Sequence, residues 1–322
     1  MKALITGIEG FVGRHLAREL QGRGFEVWGG YFLKDRLEDL EPYVLRKCDL
    51  TRSDEIPALL EECKPDRIYH LAGQSSSAVS FKDPVGTFQA NVTGTIHLLE
   101  GVRKACPGAR VLMVTSCEVY GAADPEHLPT SEKAPFKPLS PYAASKASQD
   151  HLGYQYYKSY HTEIVRVRPF PHVGPGQGPN FALPGFAKQI AEIEAGMAPP
   201  TVMAGNLEAE RDLSDVRDVV RAYSLILELG TSGEAYNIGS GRVYSIRKAL
   251  EVLLSKAKIP IQVQTDESRM RPADVPLLWS DCSKLRQAIP WEAEIPVEKS
   301  LEDLLDFWRE EVRERKKRWS RE

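Results

Sequence analysis

The sequence carries little that would tie it to a metal, a membrane or a polyanion. Its seven histidines include no His-Glu-x-x-His pair, and its five cysteines (48, 63, 106, 117 and 282) are odd in number, scattered and without a Cys-x-x-Cys spacing. That pattern argues against a catalytic metal and against a disulfide framework. There is no apolar N-terminal signal and no long uncharged apolar run. The expectation is therefore a soluble, reduced protein of the cytoplasm. Forty-two basic against forty-five acidic side chains leave a formal charge of −3, which argues against a general nucleic-acid or membrane-surface binder. A locally basic stretch from Arg313 to Arg321 reads as the solvated end of a last helix. Internal repeats and low-complexity segments are also missing, and 322 residues suffice for one large domain or two intimate ones.

What is present is a strand–helix alternation from Met1 to about Arg168. Short β-rich runs begin at Lys2, Glu26, Arg67, Arg110 and Glu163, and read as buried parallel strands. Helical patterns run over Phe11–Gln21, Asp54–Cys63, Pro84–Ala105 and Tyr142–Tyr160. The alternation predicts an α/β fold with a doubly wound parallel sheet. The Pro- and Gly-dense segment Pro169–Pro179 marks a change of organisation. Residues 1–168 are expected to form a dinucleotide-binding domain, with a return of the chain near 213–240. Residues 169–322 are expected to form mainly a smaller α/β substrate lobe, with helices near 181–196, 215–228, 245–256 and 297–314 and a cleft between the lobes.

Two clusters carry the chemistry. Gly7, Gly10 and Gly13 follow the first strand and open the first helix, where small residues let backbone amides and the helix N-terminus approach a pyrophosphate. Phe11 and Val12 stand in the same turn. The second strand should end near Tyr31, where no carboxylate stands; Lys34 and Arg36 follow, which favours NADP(H) while leaving NAD(H) open. Asp49 and Leu50, after the next strand, are candidates for the adenine, although an Asp before a helix start is also a common cap. The second cluster is Ser140-Pro-Tyr142-Ala-Ala-Ser-Lys146: a Ser-Pro helix start puts Tyr142 and Lys146 on one face, four residues apart. A free tyrosine has a pKa of roughly 10, and a nearby ammonium is expected to lower it, making Tyr142 an acid/base for an alcohol–ketone exchange.

With Thr6-Gly-x-x-Gly-x-x-Gly13, His70-Leu-Ala-Gly73, Asn91, Ser116-Cys-Glu-Val-Tyr-Gly121 and Tyr142-x-x-x-Lys146, the chain resembles the extended short-chain dehydrogenase/reductases that act on nucleotide sugars. Gly174-Pro-Gly-Gln177, the stretch from Gly205 to Asp218 and Arg271–Val275 resemble the branch that makes and reduces GDP-4-keto-6-deoxymannose. The short connection after the second strand is closer to the reductases, which form GDP-D-rhamnose, than to the GDP-mannose 4,6-dehydratases. The resemblance implies a Rossmann domain, a GDP-sugar substrate, no metal, and a homodimer formed through the helices near 84–105 and 142–160; burial within one chain explains the same apolar positions.

By that resemblance Ser116, Tyr142 and Lys146 form the catalytic set, with Glu118 beside them and Asn91 as a structural helper. Leu71, Ala72, Gly73, Asn91, Tyr142, Lys146 and His172 would join the glycines around the cofactor. Ser75, Ser116, Cys117, Glu118, Asn180, Arg211, Arg271 and Asp274 would face the substrate, the arginines at its diphosphate. Glu118 is the residue that removes the C5 proton in the dehydratases, but a glutamate is also kept in the reductase pattern. Cys117 replaces the Ser or Asp that assists dehydration, and reads as a bystander. Pro171 replaces the asparagine usual before His172; a satisfied loop histidine is the plainer reading of His172, and of His70 a satisfied core side chain. The expected activity is NADPH-dependent reduction at C4. The alternatives are a 4,6-dehydratase, a related 4-epimerase and, from another class, a non-catalytic dinucleotide sensor.

Overall fold

The first strand, β1 (Lys2–Thr6), turns Ala3 and Ile5 to one face and Leu4 to the other, and all three are fully buried. A strand apolar on both sides belongs in the middle of a sheet covered on both faces. Of β2 (Glu26–Tyr31), β3 (Val44–Lys47), β4 (Arg67–His70), β5 (Arg110–Val114) and β6 (Ile164–Pro169), all but β3 are likewise mostly buried; β3 is an edge strand and exposes Arg46 and Lys47. They are joined by α1 (Phe11–Gly22), α2 (Ile56–Cys63), α3 (Ser77–Lys82), α4 (Pro84–Phe88), α5 (Gly94–Ala105) and α6 (Pro141–Tyr160). The computed structural model describes residues 1–33, 37–269 and 275–319.

The later part contributes β7 (His172–Val173), α7 (Ala182–Glu194), β8 (Thr201–Ala204), β9 (Glu210–Asp212), β10 (Ser214–Asp215), α8 (Val216–Leu229) and β11 (Ala235–Ile238). β12 (Val243–Ser245), α9 (Ile246–Ser255), β13 (Gln262–Thr265), β14 (Leu277–Leu278), α10 (Ser283–Ala288) and α11 (Val297–Trp319) complete it. The main sheet has seven parallel strands in the order β11-β6-β5-β4-β1-β2-β3. The chain runs outward from β1 through β2 to β3, then returns to lay β4 on the other side of β1. That reversal opens a crevice at the carboxyl ends of β1 and β4, where ligands bind in open α/β sheets.

One face of the sheet shares a core with α1 and α8, through Leu16, Leu20, Val219, Tyr223 and Ile226. The other face packs on α2, α5 and Tyr156 of α6. The second lobe has its own core, in which Phe186 and Ile190 of α7 meet Leu250 and Leu253 of α9 and Leu301 and Leu305 of α11. α6 begins with the Ser140 hydroxyl accepting from the Ala143 amide (3.0 Å) and Pro141 in the first turn. It is anchored below by Asp150, whose carboxylate accepts from Arg166 (2.5 Å) and twice from Arg168 (2.8 and 2.9 Å), all of them buried.

One helix departs from the simple expectation. Pro84–Ala105 is interrupted by a π-helical turn over Gln89–Thr93. The wider turn seats Asn91, fully buried, between the loop after β4 and α6. Such turns inside helices frequently mark functional sites.

Candidate active site

The turn between β1 and α1 is built so that only glycine fits at two places. Gly7 has φ +73°, and a Cβ there would stand 2.9 Å from the Ala72 Cα. A Cβ on Gly13 would lie 2.5 Å from the Gly7 carbonyl oxygen. Gly10 caps α1 in extended conformation with no side chain to bond the first-turn amides. Those amides and the helix dipole are therefore left to an anion, so the turn fits the pyrophosphate of a dinucleotide. Gly7, Gly10, Phe11, Val12 and Gly13 all line one cavity of about 940 Å³ at the sheet's switch point.

The reacting end of that cavity lies where β5 ends and α6 begins. Ser116 follows β5 and starts a short 3₁₀ turn by accepting from the Glu118 amide (3.1 Å), and its hydroxyl faces the Tyr142 phenol. Tyr142 is buried, and burial with the nearby charge of Glu118 pushes its phenol above the ordinary value, against the smaller pull of Ser116. Glu118 reaches the same space, its Oε2 accepting from the Ser77 hydroxyl at 2.6 Å. Cys117 is buried, and burial first, then Glu118, holds its thiol well above the usual range.

Lys146 also lines the cavity, but its Nζ donates to the Val114 carbonyl (3.0 Å) and to Gln149 Oε1 (2.9 Å). Burial pushes its ammonium down to about 8. Gln149 Nε2 in turn donates to the Thr95 hydroxyl (2.7 Å), which itself donates to the Asn91 carbonyl (2.6 Å). His70 sits between Thr95 (2.9 Å, at Nε2) and Thr6 (2.9 Å, at Nδ1), and burial holds its ring neutral, down to about 3. Because Thr95 already spends its proton on Asn91, His70 must carry its hydrogen on Nε2 and accept from Thr6 at Nδ1. A fully buried polar chain thus runs from the glycine-turn strand to Lys146.

The structure brings most of the expected residues to this cavity: Asp49, Leu50, Leu71, Ala72, Gly73, Ser75, Cys117, His172 and Arg211 line it with those already named. His172 stacks on Phe11 (ring centroids 6.1 Å apart), bonds the Phe170 carbonyl at 3.0 Å through Nδ1, and has its pKa lowered by burial. Arg211, on β9, donates to the carbonyls of Glu210 (2.8 Å) and Pro276 (3.3 Å).

Three expectations need correction. Asn91 does not line the cavity; it accepts from the Gln74 amide (2.8 Å) and donates to the Gln74 carbonyl and Ser145, bracing the loop that does. Asn180 is exposed and off the lining, in the turn just before α7. The Tyr142 phenol is raised and not lowered, since the Lys146 ammonium is drawn to Val114 and Gln149 and burial dominates. Lys34, Arg36, Arg271 and Asp274 lie outside the described residues.

Residues 4–304 match the model of the family described as GDP-mannose 4,6 dehydratase. The chain belongs to that family. Within the GDP-mannose 4,6-dehydratase family it is 32% identical to the GDP-6-deoxy-D-mannose reductase of Pseudomonas aeruginosa, over 97% of this chain and 99% of that protein. Among solved structures it is similar to RMD from Pseudomonas aeruginosa complexed with NADPH (TM-score 0.85, 31% identity, covering 96% and 99% of the two chains). It is also similar to the UDP-glucose 4-epimerase of Thermus thermophilus in complex with NAD (TM-score 0.86, 28% identity, covering 96% and 99%). The doubly wound parallel sheet and the nucleotide-sugar reductase resemblance read from the sequence agree with these findings.

For a member of this family, four cavity-lining or supporting residues went unrecognised in the sequence: Glu9, Gln74, Ser77 and Gln149. Gln149 had a signal, standing seven residues after Tyr142 and three after Lys146 on the same helix face. Ser77 had none, because its partner is 41 residues away. Among the described residues no helix is long and apolar enough to cross a membrane.

Proposed function

We propose that this family member is a reductase, dependent on a reduced nicotinamide dinucleotide, that converts the C4 ketone of GDP-4-keto-6-deoxy-D-mannose to a GDP-6-deoxyhexose such as GDP-D-rhamnose. The carrying observation is the convergence of Ser116, Tyr142 and Lys146 with the glycine turn on one cavity, in a chain 32% identical to a GDP-6-deoxy-D-mannose reductase; burial and the Glu118 charge also hold the Tyr142 phenol above its ordinary value. A neutral phenol donates a proton to a developing alkoxide, as reduction requires. Dehydration and epimerisation begin with oxidation of the C4 hydroxyl, and so need a base in that place.

A reduced nicotinamide, when bound, supplies the hydride to C4. Tyr142 gives its proton to the C4 oxygen, so ketone, hydride and proton balance as a secondary alcohol, and the phenol is reprotonated from solvent. Ser116, which lines the same cavity beside that phenol, stabilises the same oxygen. Lys146 would hold the nicotinamide ribose, and Arg211 would meet the diphosphate from the second lobe. General acid catalysis contributes about 10²–10⁴-fold. Tyr142→Phe is therefore expected to lower the reduction rate at least about a hundredfold while the dissociation constant for the cofactor stays near that of the wild type. Near-normal turnover would overturn the proposal.

One observation favours a second reading, the 4,6-dehydratase: Glu118 stands in the cavity beside Tyr142, where a C5 base would be needed. Its hydrogen bond from Ser77 engages one carboxylate oxygen and weighs against that use. A homodimer is part of the proposal. Val85 and Phe88 on α4 and Tyr154 and Tyr160 on α6 are exposed, as a helical interface would require. Sedimentation would read the dimer directly.

A further inference from the structure

We infer that Glu9, in the middle of the glycine turn, selects NAD(H) over NADP(H). The inference rests on the dinucleotide reading of the cavity and is independent of the sugar. Glu9 lines the cavity where β2 ends: its Oε1 accepts from the amides of Phe32 (2.9 Å) and Leu33 (3.2 Å), the two residues after that strand. This is the place where a Rossmann fold meets the adenosine ribose, and where a carboxylate accepts from the 2′-hydroxyl. β2 itself offers no carboxylate there, and the glycine turn supplies one from the neighbouring strand end.

The second oxygen, Oε2, is buried and meets no donor among the described residues. A shielded carboxylate oxygen without a donor is costly and calls for a ligand or water. The last torsion of a glutamate is soft, so a small turn presents this oxygen to a ribose hydroxyl while the amides stay bonded. A 2′-phosphate would place two negative charges beside it instead. Among the described residues no cation is paired with the Glu9 carboxylate. Phe32 and Leu33 are more than half exposed and apolar, and Arg14 gives its Nε to the Glu9 carbonyl (3.0 Å) and pairs with Asp39 (3.4 Å). The inference departs from the NADPH expectation, which rested on Lys34 and Arg36.

The test measures dissociation constants of the full chain for NADH, NADPH, ADP-ribose and 2′-phospho-ADP-ribose; the last two bind without chemistry. A hydrogen bond to a charged group predicts that the wild type holds NADH and ADP-ribose about tenfold or more tighter than their 2′-phosphorylated counterparts. Glu9→Gln keeps an acceptor for the two amides and should bring the pairs within about threefold, mainly by tightening the phosphorylated ligands. Should that variant fail to fold, Glu9→Ser gives the same comparison. A wild type that binds the phosphorylated ligands equally or tighter overturns the inference, and so does a ratio unchanged by Glu9→Gln. Failure of all four ligands to bind overturns it together with the dinucleotide reading. A wild type that shows the NADH preference but does not reduce the keto sugar refutes the proposed substrate and leaves this inference standing.

Discussion

Replacing Gln149 with glutamate should move the alkaline edge of activity. Lys146 is buried, and the two acceptors on its Nζ, the Val114 carbonyl and the Gln149 amide oxygen, are both neutral. Burial therefore pushes the ammonium from its ordinary 10.5 down to about 8, a bias of about 3 kcal/mol against the charged form. The sign follows directly. Between about 8 and 10.5 the unfolded chain binds the proton and the folded one does not, so folding stability rises with pH across that window. Activity that needs the ammonium behaves the other way: it is full below about 8 and falls as pH rises through it. A carboxylate 2.9 Å from Nζ, where Gln149 Oε1 stands, should raise the lysine by about 1–3 units. The variant gives up the 2.7 Å donation from Nε2 to Thr95, at a stability cost of about 1 kcal/mol. The assay is the rate of reduced-nicotinamide loss across pH, taken as kcat/KM for the cofactor, which reports the free enzyme. The alkaline limb is expected near 8 in the wild type and at least about one unit higher in Gln149→Glu. A limb at the same pH in both proteins, or none at all below about pH 10, would refute the reasoning.

Glu118→Gln separates the two enzymatic readings. Reduction should persist within about tenfold, because the amide oxygen still accepts from Ser77 and loss of the charge makes Tyr142 more acidic, whereas a dehydratase would lose its C5 base; product analysis from both GDP-mannose and the keto sugar reads the difference. Asp150→Asn leaves Arg166 and Arg168 buried without their counter-charge and is expected to destabilise the fold by about 3–5 kcal/mol, read as a lower denaturant midpoint at unchanged slope.

The fold was legible because its signals are periodic and repeated. Ala3 and Ile5 against Leu4, the glycines at 7, 10 and 13, and the Ser140-Pro141 start of α6 each fix a local geometry that tertiary packing has no reason to override. The π-helical turn at Gln89–Thr93 was not legible, since its helical pattern continues on both sides and the extra residue serves a contact with Gln74. At the site, spacing placed Tyr142 and Lys146 on one face but not the end of a flexible four-carbon side chain. That is why the direction of the Tyr142 shift was misread. Glu9 escaped notice because the positions between the glycines are free of steric demand, so nothing in the motif marks a carboxylate there. Asn180 shows the converse: a polar residue in a loop rich in Pro and Gly that is exposed and off the cavity lining.

The central claim, net reduction of a nucleotide keto sugar, is tested most directly by mixing the protein with NADH or NADPH and freshly prepared GDP-4-keto-6-deoxy-D-mannose while following reduced-nicotinamide absorbance. The account predicts loss of one reduced cofactor for each GDP-6-deoxyhexose formed. No loss, from protein that demonstrably binds the cofactor, or a new sugar nucleotide made from GDP-mannose without net cofactor consumption, would contradict it.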